Sequence, residues 1–141
     1  MPTITVPRND LYHLLGRSFS DAELHRLLQW AKGELKSADP AELRIELNDT
    51  NRPDLWSTEG IARQLRVHFQ GTPARYPDIR DDPNSNLLIE VEPALASIRP
   101  AIGAFRAKGP PLSEAGLLGL IQSQEKLAEN YGCARRRISI G

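Results

Sequence analysis

Arginine and asparagine side chains are the groups of this sequence best suited to bind a partner. They form two clusters, each beside a predicted helix, and the candidates are Asn51, Arg52, Arg63, Arg135, Arg136 and Arg137. Guanidinium groups hold phosphate oxygens through paired hydrogen bonds, so either cluster could contact a nucleic-acid backbone. A structural role is favoured, because arginines that follow a helix also complement its C-terminal dipole.

A proline corner contains the first of these clusters. Pro53 fixes its own φ and keeps Arg52 out of the helical region. Asp54 or Ser57 can then accept hydrogen bonds from the first amides of the helix that follows. Arg52 is expected to lock the corner by pairing with one of three acids, Asp49, Asp54 or Glu59. The predicted structural residues of the corner are Pro53, Asp54, Glu59 and Gly60.

No catalytic residue and no metal site is predicted. The three histidines, His13, His25 and His68, are far apart, and none has an acid or a cysteine at a metal-ligand spacing. Cys133 lies near three arginines, but the sequence offers no base that would activate it as a nucleophile. The glycine-rich loop of a nucleotide site is also missing, so no cofactor is expected in this chain.

The composition is that of a globular chain without a strong overall charge. Its 141 residues include 18 basic and 18 acidic side chains, so any nucleic-acid contact must come from a local patch. The single cysteine excludes an internal disulfide and fits a reducing compartment. No apolar run reaches membrane-spanning length, and the N-terminus lacks the apolar core of a signal peptide. The expected location is therefore the cytoplasm.

The first part of the chain predicts two short helices, a strand and a third helix. Pro7 suits the first helical position, and the first helix ends at Gly16. A capping box, Ser20 to Glu23, begins the second helix, which Gly33 ends. Strand and third-helix positions follow from apolar spacing of 2 and about 3.6 residues. These apolar positions are Leu43, Ile45 and Leu47 in the strand and Ile61, Ala62, Leu65 and Phe69 in the helix.

The second part predicts a proline-rich linker followed by a smaller unit. Residues 71–86 are read as the linker, and residues 87–92 and 98–108 as strands. Ser113 caps a long helix that Gly132 ends, and its apolar stripe is Leu117, Leu120, Ile121, Gln124, Leu127, Ala128 and Tyr131. A last strand begins at Ile138. The predicted division is a scaffold module at 1–70, the linker at 71–86 and an incomplete unit at 87–141, with an α+β fold.

Three blocks of the sequence carry a resemblance to a known family. They are the opening 24 residues, the corner segment 48–66, and the segments 98–104, 121–127 and 135–141 taken together. In this order they resemble the N-terminal part of the phenylalanyl-tRNA synthetase β subunit, in the version found in archaea and eukaryotes. The resemblance covers the scaffold module and the beginning of the editing-domain region, so it carries no catalytic or editing residue to this chain.

The resemblance implies an α+β scaffold that works in protein biosynthesis as part of a ligase. In the family, a separate α subunit activates phenylalanine with ATP and magnesium and loads tRNA, so these cofactors are implied only for the complete complex. The β subunit supplies scaffolding, tRNA contacts and a hydrolytic editing domain. The predicted partners are therefore the α subunit and tRNA. Self-association is also predicted, because the strands at 87–91 and 98–107 would leave unpaired edges.

Three alternatives remain open from the sequence. The chain could be a freestanding module that binds tRNA or another synthetase subunit. It could be a nucleic-acid-binding protein that uses the helical pair of residues 8–33, although the second helix has a mixed and not a basic face. A small editing hydrolase ranks lowest. The sequence alone leaves open whether a natural short protein or a truncated one is at hand.

Overall fold

A three-stranded antiparallel sheet organises the part of the chain that this computed structural model describes, residues 1–71 and 88–141. The strands are β1 (Thr3–Pro7), β2 (Gly33–Ala38) and β3 (Glu42–Leu47), in the spatial order β1–β3–β2. Helices and sheet together confirm the predicted α+β class. The α-helices are α1 (Arg8–Leu15), α2 (Asp21–Leu28), α3 (Thr58–Gln70) and α4 (Glu114–Lys126). The shorter helical turns are Gln29–Ala31, Pro53–Leu55, Pro93–Ser97 and Leu127–Tyr131.

The core lies on one face of the sheet. Along β1 and β3 the buried side chains alternate with exposed ones, and Ile4 lies opposite Ile45 while Val6 lies opposite Leu43. Helices α1, α2 and α3 add their apolar stripes to this face, and Trp56 from the corner completes it. The helical members of the cluster are Leu11, Leu15, Leu24, Leu28, Ile61, Ala62 and Leu65. The three predicted core positions at the start and middle of α3 are confirmed, whereas Phe69 is 39% exposed.

Strand β2 was not predicted, and it replaces the expected direct passage from the second helix to a single strand. Lys32, in the left-handed conformation with φ 49°, ends the helical turn after α2, and Gly33 begins the strand. A Cβ at Gly33 would lie 3.3 Å from Ile45 Cγ2, so the glycine lets β2 pass close to β3. Hydrogen bonding to β3 overrides the helix-forming tendency of this Glu, Leu and Lys-containing segment. The prediction that Gly33 ends the helix is therefore wrong by one residue. Lys32 ends the helical turn, and Gly33 is the first residue of β2.

Helix starts follow the predicted caps, with one correction. Ser20 and Glu23 form the capping box of α2, and Ser57 and Ser113 accept from the amides of Gly60 and Gly116. Pro7 is not the first helical residue. It ends β1 and serves as the N-cap of α1. Because its nitrogen carries no hydrogen to donate, proline suits the end of a strand as well as the start of a helix.

Helix α4 turns a different face inward from the one its sequence predicts. Leu117, Leu120 and Ile121 are 51%, 55% and 47% exposed, so the predicted stripe is wrong at these positions. Of the same predicted stripe, Tyr131 is 58% exposed, whereas Ala128 is buried and Leu127 packs against the core, as predicted. Gly119, which is outside the stripe, is the buried residue on α4 itself. Small side chains allow a helix to approach its neighbour closely, which leaves the larger aliphatic side chains of α4 exposed.

The strands predicted after the linker are not formed. Residues 88–92 and 98–108 form no strand, and the helical turn Pro93–Ser97 lies between them. Every residue from 88 to 111 is exposed. Residues 138–140 likewise carry no strand. An isolated extended segment cannot satisfy its amides and carbonyls without a neighbour, and within the described ranges these segments pair with none. The strand edges on which predicted self-association depended are consequently missing there.

Residues 112–141 group with residues 1–71 in one compact unit, and the described residues 88–111 belong to a second. The predicted division places α4 in the second unit instead. Contacts of α4 with β1 produce the observed grouping, since the Gln122 side chain bonds to the Thr5 backbone at 2.7 and 2.8 Å. The predicted linker falls almost entirely on residues 72–87, which lie outside the described ranges. None of the described helices combines the length and apolarity that crossing a bilayer requires.

Candidate functional site

A single carboxylate, Asp54, holds both arginines of the proline corner. Arg52 donates to it through two parallel hydrogen bonds of 2.9 Å, from Nε and Nη2. Arg63 reaches the same carboxylate from α3, with Nη2 2.7 Å from Oδ2. The hydrogen bond from Arg52 is the main reason that the pKa of Asp54 is lowered below its usual range. Of the three acids proposed for Arg52, the structure selects Asp54.

The backbone of the corner is fixed by close contacts as well as by ion pairs. Ser57 Oγ accepts from the Gly60 amide at 3.0 Å, which caps α3. Gly60 is buried with the Asp54 carbonyl oxygen directly over its Cα, so a Cβ at this position would collide with that oxygen. The backbone N–H of Asn51 donates to Asp49 Oδ1 at 3.2 Å, which tightens the turn before the corner. These contacts support the predicted structural roles of Pro53, Asp54 and Gly60.

Glu59, predicted as part of the corner, faces another element. It is exposed and lies at the start of α3. A Cβ at Gly119 would lie 3.5 Å from Glu59 Oε1, so α4 passes close to the beginning of α3 at this point. This distance is an ordinary van der Waals contact, so the approach does not require glycine at position 119.

The C-terminal arginines lie on a tight turn after α4. Cys133, Ala134 and Arg135 all have positive φ, at 52°, 55° and 62°, a conformation that side chains other than glycine rarely adopt. Backbone hydrogen bonds hold the turn, among them Arg135 N to Ala128 O at 2.9 Å and Arg137 N to Gly132 O at 2.8 Å. Backbone strain of this kind persists only where surrounding contacts enforce it.

The side chains of Arg135 and Arg136 make contacts with α4 and within the turn. Arg135 donates twice to the Glu125 carboxylate, at 2.7 and 2.8 Å, and Arg136 Nε donates to the Cys133 carbonyl at 3.2 Å. The Cys133 thiol is half-buried, with Sγ 3.9 Å from the Tyr131 carbonyl oxygen. In the part of the chain that the structure describes, no three His, Cys, Asp or Glu side chains are grouped as metal ligands.

A cavity lies between residues next to the proline corner and the C-terminal turn, which are more than 70 residues apart in sequence. Its volume is about 460 Å³, and its lining residues are Thr50, Trp56, Asn130, Tyr131, Arg137 and Ile138. Trp56 is 1% exposed, and its indole N–H has no acceptor among the described residues. No local pattern indicates that Thr50 and Trp56 lie beside the C-terminal turn, because this proximity depends on how α4 packs.

Arginines of both clusters therefore form ion pairs with acids of the same chain. Arg52 and Arg63 are held by Asp54, and Arg135 by Glu125. All these side chains are partly exposed, so each pair contributes about 1 kcal/mol or less to stability. What the arrangement fixes well is geometry: the corner sets the start of α3, and the C-terminal turn returns the chain toward it.

Comparisons with known proteins give one consistent result. The chain is 38% identical over its full length to the phenylalanine–tRNA ligase β subunit of Borreliella burgdorferi, and 40% identical to that of Borrelia hermsii. The crystal structure of an N-terminal fragment of the phenylalanyl-tRNA synthetase β subunit from Pyrococcus horikoshii has a TM-score of 0.79 and 35% identity, and the match covers 99% of this chain and 41% of that one. No protein-family model matches the sequence.

The class indicated by fold and comparison is that of aminoacyl-tRNA synthetase subunits. More closely, the chain is homologous to the N-terminal part of the phenylalanyl-tRNA synthetase β subunit, which confirms the resemblance seen in the sequence. The chain spans 26% of the length of the curated relatives it matches.

Proposed function

We propose that this chain acts in tRNA aminoacylation as a scaffold and docking module, either as the N-terminal part of a phenylalanyl-tRNA synthetase β subunit or as a shortened relative of it. One observation carries the proposal: 36–40% identity to ligase β subunits extends over the whole chain. On this proposal the module belongs to protein biosynthesis in the cytoplasm and is not itself catalytic. The reaction that uses ATP and magnesium takes place in the complete complex, on the α subunit.

The geometry of the arginine clusters supports a scaffold. Pairing of Arg52 and Arg63 with Asp54 fixes the direction in which α3 leaves the corner, and pairing of Arg135 with Glu125 fixes the final turn. A rigid framework of this kind can present surfaces to another subunit at small entropic cost. Contacts of these arginines with tRNA phosphates would have to compete with the internal pairs.

The outer face of α4 supports subunit docking. Four aliphatic side chains, Leu117, Leu118, Leu120 and Ile121, are 47–57% exposed there. A contiguous apolar surface is typical of protein–protein interfaces. We infer that the synthetase α subunit is the protein that covers this face.

Capture of the α subunit tests the proposal. The purified 141-residue chain is immobilised and exposed to the phenylalanyl-tRNA synthetase α subunit encoded by the same genome, and binding is measured by biolayer interferometry. Saturable binding is expected, and Leu117→Asp/Leu118→Asp should weaken it at least tenfold. Leu88→Asp is a matched control, because Leu88 is 81% exposed but lies in the second unit. Complete absence of α-subunit binding to the wild-type chain, or phenylalanylation of tRNA by the chain alone, would contradict the proposal.

A further inference from the structure

Four rings form a continuous row at the surface beside the end of α3. Trp30 stacks on His68 with ring centroids 4.2 Å apart, and His68 meets Phe69 edge-on at 5.5 Å. Phe69 in turn stacks on Phe19 at 5.6 Å, with the rings 16° from parallel. We call these residues the aromatic row. Phe19 is buried, whereas Trp30 and Phe69 are 59% and 39% exposed.

The exposure of this row is unusual within its part of the molecule. Among the described residues 1–71, Met1, Trp30 and Phe69 are the exposed large hydrophobic side chains, and two of the three belong to the row. The other large apolar side chains of these helices are buried in the core or packed against it. Trp30 is therefore not a core anchor, in contrast to Trp56, which is.

One cation contacts the row, and others are close to it in sequence. The Arg17 guanidinium lies 4.6 Å from the Phe19 ring centroid and 5.8 Å from that of Phe69. The segments that build the row, residues 16–19, 29–32 and 63–70, contain Arg17, Lys32, Arg63 and Arg66 and no Asp or Glu. Lys32 and Arg63 are paired with Asp49 and Asp54, which leaves Arg17 and Arg66 as the cations nearest in sequence to the rings. The chain has zero net charge, and these three segments carry cations without an acid of their own, although Asp49, Asp54 and Glu23 from other segments interact with Lys32, Arg63 and Arg17.

We propose that the aromatic row binds unpaired bases of an RNA strand. Every base has a flat face that can stack on an exposed aromatic ring, and binding sites for single strands combine such rings with cations that follow the backbone. Trp30 and Phe69 offer the faces, and Arg17 and Arg66 meet the phosphates. A protein-binding surface is less consistent with the row, since cations and not aliphatic side chains flank it, unlike the outer face of α4. The RNA class rests on chemistry, whereas its identity as tRNA rests on the proposed function.

Fluorescence anisotropy of a labelled single-stranded RNA of about 12 nucleotides tests this inference on the full chain. Saturable binding is expected that weakens as salt concentration rises, and the same strand should bind more weakly when it is annealed to its complement. Trp30→Ala should reduce affinity about tenfold, which corresponds to one lost stacking contact. Arg17→Ala should reduce the slope of log affinity against log salt by ~0.7, the value for one lost phosphate contact with a single strand.

Matched controls separate the row from exposed rings and cations in general. Phe105→Ala/Arg106→Ala removes one ring, 91% exposed, and one exposed cation outside the row, and should leave binding unchanged. Circular dichroism verifies that each variant is folded, which is expected because Trp30 is mostly exposed. Failure of the single strand to bind, or equal binding by the wild type and Trp30→Ala, overturns the inference. If Trp30→Ala instead abolishes α-subunit capture while RNA does not bind, the row is a protein contact and the inference also fails. The RNA measurement contains no α subunit, so its outcome is independent of the docking test.

Discussion

At the scale of single residues, the corner depends on contacts of Asp54 that leave no room for a side chain at position 60. Asp54 uses both carboxylate oxygens for two guanidinium groups, and its own carbonyl oxygen lies over Gly60. The sequence predicted the cap, the proline and an acid for Arg52, because these are local features within a few residues. The sequence could not select among the three acids, since that choice depends on the direction in which the Asp54 side chain points within the turn Pro53–Leu55.

Gly60→Ala should destabilise the fold by ~2–3 kcal/mol, because the added Cβ collides with the Asp54 carbonyl oxygen and the buried corner cannot move away freely. The free energy of unfolding from urea titration measures the effect. Gly119→Ala is a matched control, since Gly119 is also a buried helical glycine but its Cβ would lie at an ordinary 3.5 Å from Glu59 Oε1. Alanine there should be neutral or stabilising by up to about 1 kcal/mol. Equal effects of the two substitutions would show that the corner is not closely packed.

At the scale of elements, α4 protects an edge of the sheet. Strand β1 is an edge strand, and the backbone N–H and C=O of Thr5 are both bonded to the Gln122 side chain, at 2.7 and 2.8 Å. The carbonyl oxygen and one N–H of a primary amide point to the same side, as the C=O and N–H of one residue do along a strand edge, so Gln122 occupies the position of a residue in a neighbouring strand. Open edges invite pairing with other chains. The sequence predicted self-association from strands that are not formed, whereas the structure places the relevant edge at β1 and covers it at Thr5.

Gln122→Ala should uncover this edge. Loss of two hydrogen bonds is expected to cost about 1–3 kcal/mol and to speed hydrogen exchange of the Thr5 amide at least tenfold. The Leu47 amide, which bonds to the Pro2 carbonyl at 2.9 Å, is the internal reference and should change less. Sedimentation velocity should detect concentration-dependent self-association of the variant. Gln122→Glu keeps the acceptor for the Thr5 N–H but loses the donor, so an intermediate effect is expected. Unchanged exchange at Thr5 would exclude the edge-protecting role.

At the scale of the whole molecule, the chain leaves its first unit and returns to it. Residues 112–141 join residues 1–71, while residues 88–111 are exposed throughout and belong to a second unit. The return places Asn130, Tyr131 and Arg137 beside Thr50 and Trp56 and so creates the cavity. Sites of this kind require two distant parts of the chain, which explains why local patterns missed it.

Limited trypsin digestion should cut at Arg106 or Lys108, because these residues are exposed, lie outside regular helices and strands, and are not followed by proline. The two resulting fragments should remain associated through the packing of α4 on β1. Native mass spectrometry measures the fraction of intact complex. Gln122→Ala should lower that fraction, and a chain that separates immediately after the cut would contradict the grouping of 112–141 with the first unit.

The sequence by itself determined the serine caps of α2 and α4, the proline corner, three of the α3 core positions, the α+β class and the family, because each depends on residue types at short spacing or on matched segments. Tertiary structure decided the rest. Strand β2 exists because β3 is there to pair with it, and the predicted strands of the second unit are not formed because no described segment pairs with them. The inward face of α4 is set by its packing against β1, where the Gln122 side chain bonds to the Thr5 backbone. Pairing partners and packing distances are properties of the folded chain, and no local pattern contains them.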